Sequence, residues 1–234
     1  MTGKSAVVIG ASGGIGAAVA DILETGGKYE TVIRLSRSGD SPVPLDLTSE
    51  QSIEAAAKWL KDRHIAPSLV FVATGLLHDE NNGPEKSLRQ LDADWLIKNY
   101  QVNAIGPALI AKYFLPLMVR DETVKFAALS ARVGSISDNR LGGWYGYRSS
   151  KAALNMMIRN LSIEWSRKNQ RSIIVALHPG TVDTGLSAPF QDNVPPRKLF
   201  GCDRAARQLL AVLDGLEPAD SGKIFAWDGT EIKP

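Results

Sequence analysis

Tyr147 and Lys151, four residues apart, are the side chains of this 234-residue chain best suited to moving a proton. They stand in Tyr147-Arg148-Ser149-Ser150-Lys151, which runs on into Ala152-Ala153-Leu154-Asn155, a stretch of helical character. Four residues are close to one helical turn, so the phenol and the ammonium share a face. A free tyrosine has a pKa of about 10, and a neighbouring cation favours its ionised form, which brings it towards acid–base use at neutral pH. Tyr-x-x-x-Lys by itself is common by chance. Tyr145 has Ser149 four residues on, so Tyr147 is the tyrosine of this cluster with a lysine partner.

A second group of residues is suited to holding an anion. Gly10-Ala11-Ser12-Gly13-Gly14-Ile15-Gly16 follows the apolar run Ala6-Val7-Val8-Ile9 and opens a segment of helical period. Glycine lets the backbone turn sharply, and the free N–H groups of a helix start can receive a pyrophosphate. The spacing is Gly-x-x-x-Gly-x-Gly rather than the Gly-x-Gly-x-x-Gly of the general dinucleotide fingerprint, so its place between strand and helix carries the reading. About twenty residues on, where an acidic residue would take the free ribose hydroxyl of NAD, stands Ser36-Arg37. An arginine pairs there with the extra phosphate of NADP, which a carboxylate would repel; the plain alternative is a solvated loop arginine. Asp40, among Ser38, Gly39 and Ser41, reads as turn.

Short apolar runs alternating with longer segments of helical period predict a single-domain, doubly wound α/β fold of Rossmann type, spanning 1–234, with a seven-stranded parallel sheet. The expected strands are 5–9, 31–35, 44–47, 68–73, 124–129, 172–177 and 223–227. Helices are expected over 14–25, 50–63, 92–118, 147–168 and 203–213. Two long polar segments with Gly or Pro, 78–90 and 184–200, follow candidate strands, and in an open parallel sheet both would overhang the crevice where ligands bind. The second is the expected substrate loop, with mobile surface as the alternative.

Composition narrows the partners. With 44% hydrophobic and 22% charged residues the chain can bury one sizeable core. Its 27 basic and 25 acidic residues are dispersed, so no nucleic-acid footprint stands out and a small-molecule partner is expected. Cys202 is the one cysteine, which rules out an internal disulfide and suits a reducing compartment. No signal peptide fits before the first apolar run and no stretch of about 18 apolar residues occurs, so a cytoplasmic protein with no membrane partner is expected. His64, His78 and His178 lack metal-site spacing, and no metal is expected. The apolar stripe at 109–118 reads as a packing face.

Together these residues resemble the short-chain dehydrogenase/reductase family over nearly the whole chain. Gly10, Ser12, Gly13, Gly14, Ile15 and Gly16 are similar to its glycine-rich loop, Asp46-Leu47 to its adenine-contacting Asp, and Tyr147 with Lys151 to its catalytic pair. Asn103, in Val102-Asn103-Ala104, resembles the family's helix asparagine of the proton relay. Pro179-Gly180-Thr181-Val182-Asp183-Thr184 resembles the turn placed beside the nicotinamide. The stretch from Ser130 to Lys151 is most like the subgroup of sniffer-type carbonyl reductases and C-factor-like proteins. The resemblance implies NADP(H), with Gly10 to Gly16, Ser36, Arg37, Asp46, Leu47, Ala73, Gly75, Pro179, Gly180, Val182 and Thr184 around it. It also implies reduction of a ketone or aldehyde or the reverse, and a homodimer or homotetramer.

Two departures stand out. The family's Asn-Asn-Ala-Gly appears as Val72-Ala73-Thr74-Gly75, and its Ser-Ser-x-x-Gly as Ser130-Ala131-Arg132-Val133-Gly134, with alanine at the substrate-orienting serine. Strand alternation turns Ser130 away from the direction of Ala131, so Ser135, twelve residues before Tyr147, is the preferred replacement. The missing serine and the C-factor likeness also support a cofactor-bound signalling protein with weak catalysis. A sugar-nucleotide epimerase fits less well, because 234 residues leave little room for a substrate domain.

Overall fold

Strands covered on both faces need no polar alternation, and those of the main sheet have almost none. The computed structural model describes residues 3–120, 122–192 and 194–234. Strands β1 (Ser5–Ile9), β2 (Thr31–Leu35), β3 (Pro67–Val72), β4 (Val124–Leu129) and β5 (Ser172–His178) form the sheet with a later strand, β8 (Ile224–Ala226). The order is β2-β1-β3-β4-β5-β8, with every pairing parallel. Helices α1 (Gly14–Thr25) and α6 (Cys202–Gly215) cover one face, through Val19, Leu23, Leu209 and Leu213. On the other face lie α2 (Glu50–Asp62), α4 (Gly106–Phe114) and α5 (Tyr145–Ser166), through Ile53, Leu60, Ile110, Phe114, Leu154 and Ile158. This is the doubly wound α/β fold expected.

The sheet has six strands, not seven. Segment 44–47 buries Leu45 and Leu47 as a strand would, but its polar groups are spent locally. Pro44 has no N–H to give a ladder. The Leu45 N–H donates to the Ser36 carbonyl at 2.9 Å, and the Asp46 N–H donates to Ser52 Oγ, also at 2.9 Å. A short parallel pair not anticipated from sequence, β6 (Thr181–Val182) with β7 (Leu199–Phe200), ties together the two ends of the 184–200 segment.

The single helix expected over 92–118 is broken. α3 (Ala93–Tyr100), capped by the Asp92 side chain on the Trp95 N–H at 2.8 Å, runs into a π-helical segment at Gln101–Ile105 and then into α4. Pro107 cannot donate to the carbonyl four residues back, that of Asn103, and the Gly106 N–H reaches the Gln101 carbonyl, five back. A tight 3-10 turn over Leu115–Leu117, containing Pro116, follows α4. α5 begins at Tyr145, two residues earlier than expected, and ends at Ser166.

Candidate active site

The chain leaves β1 through Gly10, which sits at φ +82°, where a side chain would be strained. Close approach fixes two of the other glycines of the turn. A Cβ on Gly16 would stand 2.2 Å from the Gly10 carbonyl oxygen, and one on Gly14 would stand 2.7 Å from Cys202 Sγ. Gly13 caps α1 without a side-chain acceptor, and Ser12, Gly13 and Gly14 are exposed. Ile15 is half-buried against the α6 side. The helix start therefore offers free N–H donors and a positive dipole end to an anion. Arg37 is exposed after β2, while Ser36 is buried with its hydroxyl donated to the Ser38 carbonyl.

Asp46 faces this region with part of its capacity already used. Its Oδ1 accepts from the Thr48 N–H at 2.9 Å and the Thr48 hydroxyl at 2.8 Å, which with nearby Arg37 holds the carboxyl below its ordinary range. Leu47 packs on Gly106, where a Cβ would come within 2.8 Å of it. These residues fit a phosphorylated dinucleotide: a glycine turn in which a Cβ on Gly10, Gly14 or Gly16 would collide, a helix start without a side-chain cap, and an exposed guanidinium one strand over.

The second half of the site gathers at the carboxyl ends of β3 and β4. Lys151 is 2% exposed, and its Nζ donates to the Leu129 carbonyl at 2.8 Å and lies 5.8 Å from the Tyr147 ring centroid. Asn103, fully buried by the π segment, exchanges two 2.8 Å bonds with the backbone of Leu76 and donates to Ser150 Oγ at 3.0 Å. Ser150 in turn donates to the Tyr147 carbonyl at 3.0 Å. A Cβ on Gly75 would lie 3.6 Å from Lys151 Nζ and 3.7 Å from Asn103 Oδ1, so these three residues meet at one point. Ala73 meets Gly10, since a Cβ there would stand 2.8 Å from the Ala73 carbonyl oxygen.

Burial, rather than the lysine, dominates the phenol. Desolvation pushes Tyr147 up to about 12 and Lys151 down to about 7, so the lowered tyrosine expected from the four-residue spacing is not found. Each charged form is penalised, and the ring's remaining exposure is partial.

The remaining sequence-predicted residues divide. Gly180, at φ +78°, packs its backbone on Phe200, and Val182 is buried with its carbonyl accepting from Ser187 and Thr184. Pro179 lies between Gly180 and His178 at the end of β5. The Thr184 methyl lies 3.2 Å from the Cβ position of Gly14, which brings the substrate loop onto the glycine turn. The two serines do not join Tyr147. Ser130 Oγ donates to Asn155 Oδ1 at 2.7 Å, and Ser135 Oγ donates to the Lys233 carbonyl at 2.5 Å and accepts from the Asp138 N–H at 3.2 Å. Both are almost fully buried. Ser135 leaves β4 in a 3-10 turn over Arg132–Gly134 that carries it towards the 231–234 segment.

Glu85 enters without notice from the sequence, and Trp144, noted there only within the stretch that carries the subgroup resemblance, enters beside it. Glu85 is 3% exposed, and both carboxylate oxygens accept from the Gly146 N–H, at 3.1 and 3.3 Å. Its carbonyl accepts from the Trp144 N–H. Glu85 thus caps the helix that carries Tyr147, and the two consecutive glycines before Trp144 were the available hint of an unusual turn.

A crevice with a glycine-lined anion cradle on one side and a phenol–ammonium pair on the other, at the carboxyl edge of a parallel sheet, defines a dinucleotide-dependent oxidoreductase. Residues 4–195 match the family model described as short chain dehydrogenase, and the chain belongs to that family, whose members use a nicotinamide cofactor. It is 31% identical, over 98% of its length and 99% of the relative's, to 1-hydroxy-2-glutathionyl-2-methyl-3-butene dehydrogenase of a Rhodococcus species. It is 34% identical to the C-signal protein of Myxococcus xanthus, over 62% of this chain and 82% of that one. An NADPH-bound carbonyl reductase from chicken fatty liver aligns over 100% of both chains, with TM-score 0.85 and 26% identity. Among the described residues, no helix is long and apolar enough to cross a membrane.

Proposed function

We propose that this protein is an NADP(H)-dependent carbonyl reductase in which Tyr147 gives a proton to the oxygen of a ketone or aldehyde. The observation that carries the reading is the meeting of Lys151, Asn103 and Gly75 at one point, with Tyr147 one helical turn from Lys151. The reduced nicotinamide, when bound, supplies the hydride to the carbonyl carbon. Gly10, Ser12, Gly13, Gly14, Ile15 and Gly16 would hold the pyrophosphate. Ser36, Arg37, Asp46 and Leu47 would hold the adenosine end, with Arg37 on the extra phosphate. Ala73, Gly75, Pro179, Gly180, Val182 and Thr184 would line the path to the ring.

The raised Tyr147 keeps the phenol protonated at neutral pH, which suits it to give a proton to the far more basic alkoxide oxygen formed by reduction. Lys151, lowered to about 7, exchanges a proton readily near neutrality and keeps donors beyond the one used on Leu129. Asn103 fixes the 76 backbone and, through Ser150, the first turn of α5. Neither Ser130 nor Ser135 is assigned a part, because each hydroxyl is committed elsewhere; Ala131 occupies the orienting position, and Tyr147 with the cofactor orients the carbonyl.

Turnover of a carbonyl panel by Tyr147→Phe, with NADPH and with NADH, tests the reading. The variant is expected to bind NADPH as the unaltered protein does and to lose at least about a hundredfold in turnover. NADPH should bind about tenfold or more tightly than NADH, through charge-assisted bonds to Arg37. Near-normal turnover by the variant would refute the assignment. The absent serine and the likeness to C-signal favour one alternative, a cofactor-bound signalling protein, and tight NADPH binding with no turnover of any carbonyl would select it.

A further inference from the structure

Three consecutive residues before the helix of Tyr147 occupy the left-handed backbone region: Gly142 at φ +63°, Gly143 at φ +64° and Trp144 at φ +51°. Glycine takes that conformation freely, whereas a bulky side chain is an outlier there and persists where its surroundings hold it. Trp144 is held from both sides: its N–H donates to the Glu85 carbonyl, and its own carbonyl accepts from the Arg148 N–H at 2.8 Å.

The conformation aims the indole at the reacting end of the crevice. Its ring centroid lies 6.3 Å from that of Tyr147, with the planes at 69°. Phe190, from the substrate loop, lies 5.5 Å beyond the indole, and His78, from the other long loop, lies 5.7 Å from Phe190. His78 Nε2 also lies 3.0 Å from the Gly185 carbonyl, which joins the two loops. On the far side, the Leu186 methyl stands over Gly75, 3.4 Å from its Cβ position, beside Lys151 Nζ. Trp144, Phe190, His78 and Leu186 all keep part of their surface exposed, as the lining of a cleft does.

We propose that Trp144 and Phe190 determine specificity in the site read above as a carbonyl reductase, and that they select substrates whose carbonyl carries a planar aromatic group. Trp144 already makes such contacts with Tyr147 and Phe190, so a flat substituent would pack on the exposed surface that the indole and Phe190 share, offset or edge to face, with its carbonyl towards Tyr147. A saturated ring of equal size is thicker and has no quadrupole to match. This inference rests on the reductase reading for the placement of the carbonyl, while the aromatic contact itself does not depend on turnover.

The experiment compares benzaldehyde with cyclohexanecarbaldehyde, using NADPH, in the unaltered protein, in Trp144→Gly, whose new residue suits the left-handed backbone, and in Phe190→Leu, which stays apolar. Calorimetry of benzyl alcohol binding to the protein loaded with NADP+ gives a reading free of chemistry. The unaltered protein is expected to favour benzaldehyde by about tenfold or more in kcat/KM, and both variants to bring that ratio towards one, mainly through KM. Benzyl alcohol should bind about tenfold more weakly to Trp144→Gly. Equal use of the two aldehydes by the unaltered protein, or a ratio untouched in both variants, overturns the proposal and leaves the reductase reading standing. No turnover of either aldehyde, together with Trp144-dependent binding of benzyl alcohol, upholds the aromatic wall and overturns the reductase reading. No turnover and no binding overturns both.

Discussion

Ser130 and Ser135 show how little a residue's type says until its hydrogen bonds are counted. Ser135 stands at the sequence separation from Tyr147 that a substrate-orienting hydroxyl would have, yet its contacts run to Lys233, Ser137 and Asp138. Ser135→Ala is therefore expected to keep turnover within about threefold and to cost about 1–3 kcal/mol of stability, because the Lys233 carbonyl loses a donor and the Asp138 N–H an acceptor. Ser130→Ala strands the buried Asn155 Oδ1 and should cost about 1–3 kcal/mol. Steady-state kinetics and denaturant melts of the two variants check both statements; a hundredfold loss of kcat in either, at unchanged NADPH affinity, returns that serine to the chemistry. Tyr147, Lys151 and the glycine turn were legible in the sequence because spacing along one helix and one turn fixes their geometry. The raised phenol was not, because desolvation depends on what the rest of the chain lays over it.

Elements were legible where one local rule governs them. Apolar runs such as Val7-Val8-Ile9 and Ile173-Ile174-Val175 announce covered strands, and the helices expected from 50 and 92 begin at Glu50 and Ala93, behind the side-chain caps Ser49 and Asp92. Segment 44–47 shared the apolar signal but not the donors a ladder requires, and the π segment was hidden because the hydrophobic period continues through it, with Pro107 as its one mark. The cap of α5 was illegible for a different reason: Glu85 lies 61 residues from the Gly146 N–H that it accepts. Removing that acceptor leaves a buried donor unpaired beside Tyr147. Glu85→Ala should lose about 1.5–3 kcal/mol and lower kcat more than it raises KM for NADPH, whereas Glu85→Gln, which keeps an accepting oxygen, should recover most of both. Thermal melts paired with kinetics decide it, and equal behaviour of the two variants would remove the cap from the account.

At the scale of the whole molecule, one half-buried histidine with a buried Nδ1 makes stability depend on acidity. Desolvation at the end of β5, with Arg132 adding to it and Asp228 opposing, lowers His178 from 6.5 to about 4, and its Nδ1 has no partner among the described residues. The unfolded chain takes up a proton near pH 6.5 while the folded one refuses it until about 4, so stability is full above 6.5 and declines as pH falls between those values. The two pKa values bracket about 3 kcal/mol, and His178→Gln should flatten that part of the stability–pH curve measured by urea melts. An unchanged slope would mean that other groups carry it. The order β2-β1-β3-β4-β5-β8 has a consequence for how such a molecule diversifies. Because the chain lays down β1 and β2 before it reaches β4, the groups that would read the adenosine end of the cofactor all precede residue 50, and those lining the aromatic cleft, His78 apart, follow residue 140. If the proposed assignments hold, choice of coenzyme and choice of substrate lie in separate stretches of the chain, open to redesign one at a time.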